Sequence, residues 1–259
     1  MKVTAYSVFF LPVVTFLFLF NCSLFAEPVS RQSIPIASVE VGIFKVPIVI
    51  PNTLEKRRNE LETYLEKAQR RLYDFAKKYG YQDFLKTSII KRVEIFDMKE
   101  EFDKRMIQLD GMPAGTKIPK TFMGVGEKGV LYCVIPEIYR DNFPQGIEPD
   151  SYEKFLCHEM AHVLHVRILQ GKDEAMGPVW FYEGFAIFAA DQLKNSAPIN
   201  DEELWTIVGN PERGSYLKYA FLIRRFVALA PISTLVSRAS KPAFIGFLHL
   251  LIDQEARKS

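Results

Sequence analysis

Apolar residues recur every three or four positions between residues 54 and 79, and charged residues fill the positions between them. Leu61, Leu65, Leu72 and Phe75 belong to this stripe. A 3.6-residue period of this kind predicts a long amphipathic helix, which Gly80 is expected to end. We expect this helix to be a scaffold without chemistry of its own.

Shorter runs of apolar and β-branched residues predict strands. Residues 39–50 predict one or two strands, and Pro47 places them at a sheet edge. Residues 89–96 predict a further strand, and residues 121–126 and 129–135 predict a hairpin that turns at Glu127-Lys128. Helical patterns are predicted over residues 99–107, 179–193, 215–229 and 242–256, so mixed strands and helices precede an all-helical part and the fold class is α+β.

A further helix is predicted around residues 155–171. Asp150 and Glu153 have the spacing of an N-terminal capping box, and Gly171 stands where a C-terminal cap is expected. This helix carries His158 and His162, with Glu159 beside the first histidine. The pattern is H-E-x-x-H.

The spacing of the two histidines predicts a metal site. Residues four apart share one face of a helix, so His158 and His162 can reach one ion, while Glu159 is offset and can hold a water molecule. A catalytic zinc site has three protein ligands and one open position. Glu183 is the best third ligand, because it is an isolated carboxylate in an aromatic helix where an unpaired charge would be costly.

Alternatives to these assignments remain open. Cys133 or Asp191 could replace Glu183 as the third ligand. The helix could also be a buried one whose histidines only satisfy hydrogen bonds. We assign structural roles to His165 and His249. Gly184 and Ala186 are expected to let the helix over residues 179–193 approach the helix around residues 155–171 closely.

The segment His158-Glu159-x-x-His162, followed after twenty residues by Glu183-Gly184-x-Ala186, resembles the gluzincin metallopeptidases. It is most similar to their small "peptidase MA-like" branch, which is related to aminopeptidase N and thermolysin. The resemblance covers about residues 89–229. It implies a zincin-like fold, with a small mixed sheet and the active-site helix in an upper lobe and a helical lower lobe.

The resemblance also implies a mechanism. Zn²⁺ would be held by His158, His162 and Glu183, Glu159 would act as general base toward a zinc-activated water, and a peptide or protein substrate would lie along an edge strand within residues 121–135. Tyr216 would stabilise the oxyanion, with Tyr219 as the alternative. The chain departs from the family at Ile187, where many members have an aspartate that supports a zinc histidine, so the support of the imidazoles is unassigned.

Residues 1–26 are typical of an export signal. Lys2 precedes an apolar run over residues 8–20, and Ala26 is a plausible cleavage point. Cys22 could instead be lipidated, or the segment could remain as an anchor, which gives possible membrane attachment through the N-terminus. Three regions are therefore predicted: 1–26 as a signal peptide or lipoprotein signal, 27–88 as a strand and scaffold helix, and 89–259 as a gluzincin-like metallopeptidase domain.

Charge and cysteine content limit the kinds of partner and of cross-link that the sequence predicts. The net charge is +2 with both signs scattered, which gives no reason to expect a nucleic-acid surface. Export would permit a disulfide between Cys133 and Cys157, although a buried free thiol is the commoner state for a cysteine placed as Cys157 is. The sequence thus predicts an exported zinc metallopeptidase. The alternative is a zinc-binding but inactive peptide-binding domain, or an envelope-associated structural domain.

Overall fold

A mixed sheet is followed along the chain by helices in the computed structural model, which describes residues 42–258. The predicted export segment and Cys22 lie outside these residues. Within them, the mixed α/β class with a small sheet is confirmed. The strands are β1 (Ile48–Val49), β2 (Arg92–Phe96), β3 (Gly124–Glu127) and β4 (Val130–Val134). The helices are α1 (Arg58–Lys78), α2 (Lys99–Leu109), α3 (Pro136–Asn142), α4 (Ser151–Ile168), α5 (Val179–Ala189), α6 (Asp201–Val208), α7 (Tyr216–Leu229), α8 (Ile232–Arg238) and α9 (Phe244–Ala256).

The sheet has the strand order β1-β2-β4-β3. Strand β2 is parallel to both β1 and β4, whereas β3 is antiparallel to β4. The short β1 lies at one edge, as Pro47 predicted. The hairpin turn is one residue later than predicted, because Lys128 and Gly129, with φ of 50° and 80°, form the two-residue loop that left-handed backbone allows.

Strand β3 forms the other edge of the described sheet and packs against α4. A Cβ atom at Gly124 would lie 2.6 Å from the ring of Phe155 and 2.9 Å from Cγ of Glu159. At Gly126 a Cβ atom would collide with Val163. The two glycines therefore let α4 lie directly against the edge strand.

Helix α4 is central. It packs against α1, α5 and β3, and most of its residues are buried, including the polar Glu153, Lys154, His158 and His165. The predicted capping box is wrong: Asp150 has φ of 62° and its side chain makes no cap hydrogen bond, while buried Glu153 pairs with Lys67 and Arg71. The C-terminal cap at Gly171 is confirmed, because the residue has φ of 85° and its N–H donates to the carbonyl of Val166 at 2.9 Å.

Helix α5 is shorter than predicted and ends at Ala189 instead of residue 193. Gly184 has a different neighbour from the expected one, since its open face meets α7, where a Cβ atom would lie 3.1 Å from Cβ of Ile223. Helices α3, α6 and α8 were not predicted. Among the described residues no single helix is long and apolar enough to cross a membrane, although α7 and α8 together reach that length and composition with a 110° bend between them.

His165 is fully buried in α4, and neither of its ring nitrogens has a hydrogen-bond partner among the described residues. Its ring stacks on Phe185 with a centroid distance of 4.3 Å. Burial, with a smaller contribution from nearby His162, lowers the pKa of His165 to about 3. The structural role predicted for His165 agrees with these contacts.

We expect His165→Leu to reduce the acid sensitivity of the fold. Between about pH 6.5 and pH 3 the unfolded chain protonates this histidine and the folded chain does not, so wild-type stability falls as the pH falls. Over the whole window this amounts to about 5 kcal/mol. Urea unfolding measures the free energy of unfolding of both proteins at pH 8 and pH 4.5. The free energy of the variant relative to the wild type should be higher at pH 4.5 than at pH 8. An equal difference at both pH values would contradict the assignment, and the exposed His249→Leu is the control for loss of a histidine.

Candidate metal centre

Three side chains from two helices converge at one point. Nε2 of His158 and Nε2 of His162 are 3.1 Å apart, and Oε2 of Glu183 lies 3.2 Å from the first and 3.5 Å from the second. His158 and Glu183 are almost fully buried, whereas His162 is one-fifth exposed. The predicted set of His158, His162 and Glu183 is the group of side chains among the described residues that could hold a metal ion.

The spacing of these three atoms suits a tetrahedral ion. Ligands about 2.05 Å from a zinc ion at tetrahedral angles would be about 3.3 Å from one another. The observed separations of 3.1, 3.2 and 3.5 Å bracket that value. Two imidazole nitrogens and one carboxylate oxygen are also the donor types of catalytic zinc sites. The residues present therefore fit the predicted ion.

Glu183 and His158 are electrostatically coupled. Burial alone would raise the pKa of Glu183, but His162, His158 and Arg213 outweigh it and hold that pKa well below its usual range. Burial alone would lower the pKa of His158, but the contacts with Glu183 and nearby Glu159 raise it. Glu183 is therefore ionised at neutral pH and available as a ligand, while a proton competes with a metal ion at His158.

Gln192 supports His158, a role that the sequence left unassigned. Its Oε1 lies 2.9 Å from Nδ1 of His158, so Nδ1 carries a hydrogen and a neutral ring presents the lone pair of Nε2 to the centre. Gln192 stands between two left-handed residues, Asp191 and Leu193, directly after α5. Its own carbonyl accepts from Arg224.

Arg213 is a second residue that sequence reasoning missed. It precedes α7, and its Nη1 lies 2.5 Å from Oε1 of Glu183 and 2.6 Å from the hydroxyl oxygen of Tyr216. Its Nη2 lies 3.5 Å from the hydroxyl of Tyr182, whose ring is 5.9 Å from that of His162. No sequence motif points to Arg213, because it lies thirty residues beyond Glu183 in an irregular segment.

Tyr216 and Tyr219 differ in their surroundings. The ring of Tyr216 is 5.9 Å from that of His158, and burial raises the pKa of its hydroxyl well above the usual range, so the group stays protonated. The Tyr219 hydroxyl accepts from the N–H of Gly214 and lies 3.4 Å from the carbonyl of Glu212, so it braces the segment before α7. Of Tyr216 and Tyr219, Tyr216 is therefore the one that lies beside the three converging side chains.

Glu159 lies on α4 outside the three converging ligands, with its side chain against Gly124 of the edge strand. Burial raises its pKa, although His158 and His162 act in the opposite direction. A carboxylate whose pKa is raised toward neutrality is suited to proton transfer. Glu159 is thus not part of the group formed by His158, His162 and Glu183, which is the offset position that the H-E-x-x-H pattern predicts.

The two alternative third ligands are not at the centre. Cys133 is fully buried on β4, with its sulfur 4.0 Å from the hydroxyl of Tyr152, and burial raises its pKa to about 12. Asp191 pairs with Lys194 and Arg71. Cys133 and Cys157 are both free thiols, so the disulfide that export would permit is not formed.

Comparison with known proteins found no family model, no curated protein and no solved structure that matches this chain.

Proposed function

We propose that the chain is an exported zinc metallopeptidase with a zincin-like active site of the gluzincin type. The observation that carries this proposal is the convergence of Nε2 of His158, Nε2 of His162 and Oε2 of Glu183 at tetrahedral spacing. A purely structural zinc site is closed by four protein ligands, whereas here three side chains converge and the carboxylate of Glu159 lies close to them. That combination favours catalysis over a structural role.

When bound, Zn²⁺ would supply a Lewis acid that polarises the scissile carbonyl and acidifies a water molecule. Glu159 takes a proton from the attacking water on its carboxylate and passes that proton to the amine that leaves. Tyr216 donates its hydroxyl hydrogen to the carbonyl oxygen as negative charge develops there. Gln192 holds the ring of His158 in the tautomer that presents Nε2.

The free edge of β3 offers a place for an extended peptide. Val134 N–H donates to the carbonyl of Met123, and these two residues are a hydrogen-bonded pair of the antiparallel ladder. Pairing alternates along the ladder, so Gly124 and Gly126 are non-hydrogen-bonded partners of Cys133 and Leu131 and their peptide groups face away from β4. A substrate strand can therefore pair with β3 directly above Glu159.

The test is hydrolysis of a random peptide library by the purified protein. We expect cleavage that a chelator abolishes and added zinc restores, because without the ion neither the carbonyl nor the water is activated.

Tyr216→Phe should lower kcat about a hundredfold or more with little change in KM, since its hydrogen bond forms in the transition state.

Zinc retention without cleavage of any library would contradict the peptidase proposal and leave an inactive peptide-binding domain. An unchanged kcat in Tyr216→Phe would remove that residue's role and leave the rest of the proposal standing.

A further inference from the structure

Arg213 places a permanent positive charge beside a site proposed to bind a cation. Its Nη1 bridges Oε1 of Glu183, at 2.5 Å, and the hydroxyl oxygen of Tyr216, at 2.6 Å. A guanidinium does not lose its proton in proteins, so it cannot relieve the repulsion of a metal ion by becoming neutral. The guanidinium therefore weakens metal binding by electrostatic repulsion. Its presence beside the site calls for a role that offsets this repulsion.

The two oxygens of Glu183 face different partners. Oε2 lies 3.2 and 3.5 Å from Nε2 of the two histidines, in the position of a ligand atom. Oε1 is directed to the Arg213 guanidinium. A carboxylate with both oxygens free can bind a metal ion through one oxygen or through both. Here one oxygen already has a charged hydrogen-bond donor, which is the strong kind of partner.

The number of carboxylate oxygens on the metal decides whether a position stays open. With Oε2 alone, the two histidines and Glu183 would supply three ligands to a tetrahedral ion, and the fourth position would be left for water. If Oε1 joined them, the carboxylate would occupy the space next to that fourth position. The contact with Arg213 would prevent this, because Oε1 would have to give up a charge-assisted hydrogen bond in order to turn toward the ion.

We propose that Arg213 is a positioning residue that holds Glu183 as a one-oxygen metal ligand and thereby keeps the fourth coordination position open. This inference rests on the proposed metal site and adds a residue that the H-E-x-x-H pattern does not contain. A simple ion pair that stabilises the fold is the competing explanation. The Arg213 side chain is 54% exposed, and Glu183 keeps both histidine Nε2 atoms as neighbours when the guanidinium is removed.

The experiment replaces the proposed zinc by Co²⁺ and records the visible absorption of the protein. Four-coordinate Co²⁺ absorbs more strongly than five-coordinate Co²⁺, so the spectrum reports the geometry without any substrate. We expect the wild type to give the intense spectrum and Arg213→Met to show a severalfold loss of visible absorbance at one bound ion per chain. Arg213→Lys should keep the wild-type spectrum, because the single nitrogen Nη1 makes both contacts and a lysine nitrogen can replace it.

Lys218→Met is the matched control. It removes one positive charge from α7, where Lys218 pairs with Glu203 away from the centre, and should leave the spectrum unchanged. One Co²⁺ per chain with the wild-type spectrum in Arg213→Met would overturn the inference and leave the metal site intact. Failure of the wild type itself to bind Co²⁺ or Zn²⁺ would instead overturn the proposed function.

Discussion

Glu159→Gln should abolish peptide hydrolysis while the protein keeps its metal. The glutamine has nearly the shape of the glutamate, but its amide cannot accept and return a proton. General base catalysis contributes about a hundredfold to ten-thousandfold, so kcat is expected to fall at least a hundredfold. Glu159 is not one of the three converging ligands, and the metal content should therefore stay at the wild-type level. Initial rates on the best library peptide and elemental mass spectrometry of the same sample measure both quantities.

Glu153→Gln is the matched control for this variant. Glu153 lies on the same helix and is also buried, but it pairs with Lys67 and Arg71 instead of facing the metal centre. Its replacement should affect stability and leave the rate per folded molecule unchanged. Cleavage by Glu159→Gln at the wild-type rate would contradict the role of Glu159 as the base, whatever the metal content.

Glu183→Ala should lose most of its zinc. The change leaves only two nitrogen ligands for the ion, whereas catalytic zinc sites use three protein ligands. It also leaves Arg213 as a positive charge without its carboxylate, which adds repulsion. Elemental mass spectrometry after dialysis against a weak chelator should give about one zinc per wild-type chain and much less than one per variant chain.

Glu153→Ala is the corresponding control for metal content, because it also removes a buried, paired carboxylate. Circular dichroism of both variants separates loss of metal from loss of fold. Full zinc retention in folded Glu183→Ala would refute Glu183 as the third ligand. Since Cys133 and Asp191 face other partners, such a result would also remove the geometric basis of the proposed site.

Local sequence patterns predicted the helices that carry the three converging side chains. The four-residue interval between His158 and His162 places both rings on one face of any helix, so the sequence alone predicted that they meet. The stripe over residues 54–79 likewise predicted α1, which begins only at Arg58 because residues 52–57 form a 3-10 turn, and buried α1 residues pack against α4. Glu183 was found because a lone carboxylate in the apolar α5 needs a buried partner.

Residues outside regular elements could not be placed in this way. In the predicted helix over residues 179–193, Gln192 would lie nine residues after Glu183, about two and a half turns, and would point to the opposite side. Helix α5 ends at Ala189 instead, and left-handed Asp191 and Leu193 turn Gln192 back onto His158. The capping box failed for a related reason, since Glu153 has a better partner in Arg71 of a distant helix.

The sequence by itself therefore predicted that His158, His162 and Glu183 come together, and it predicted the class of fold with a small mixed sheet. Only the tertiary structure decided which residues orient and neutralise those ligands. Gln192 and Arg213 reach the centre through irregular backbone, whose direction depends on contacts such as the one between Arg224 and the Gln192 carbonyl. Helical spacing is fixed by the geometry of the chain, whereas such contacts exist only after distant segments have packed.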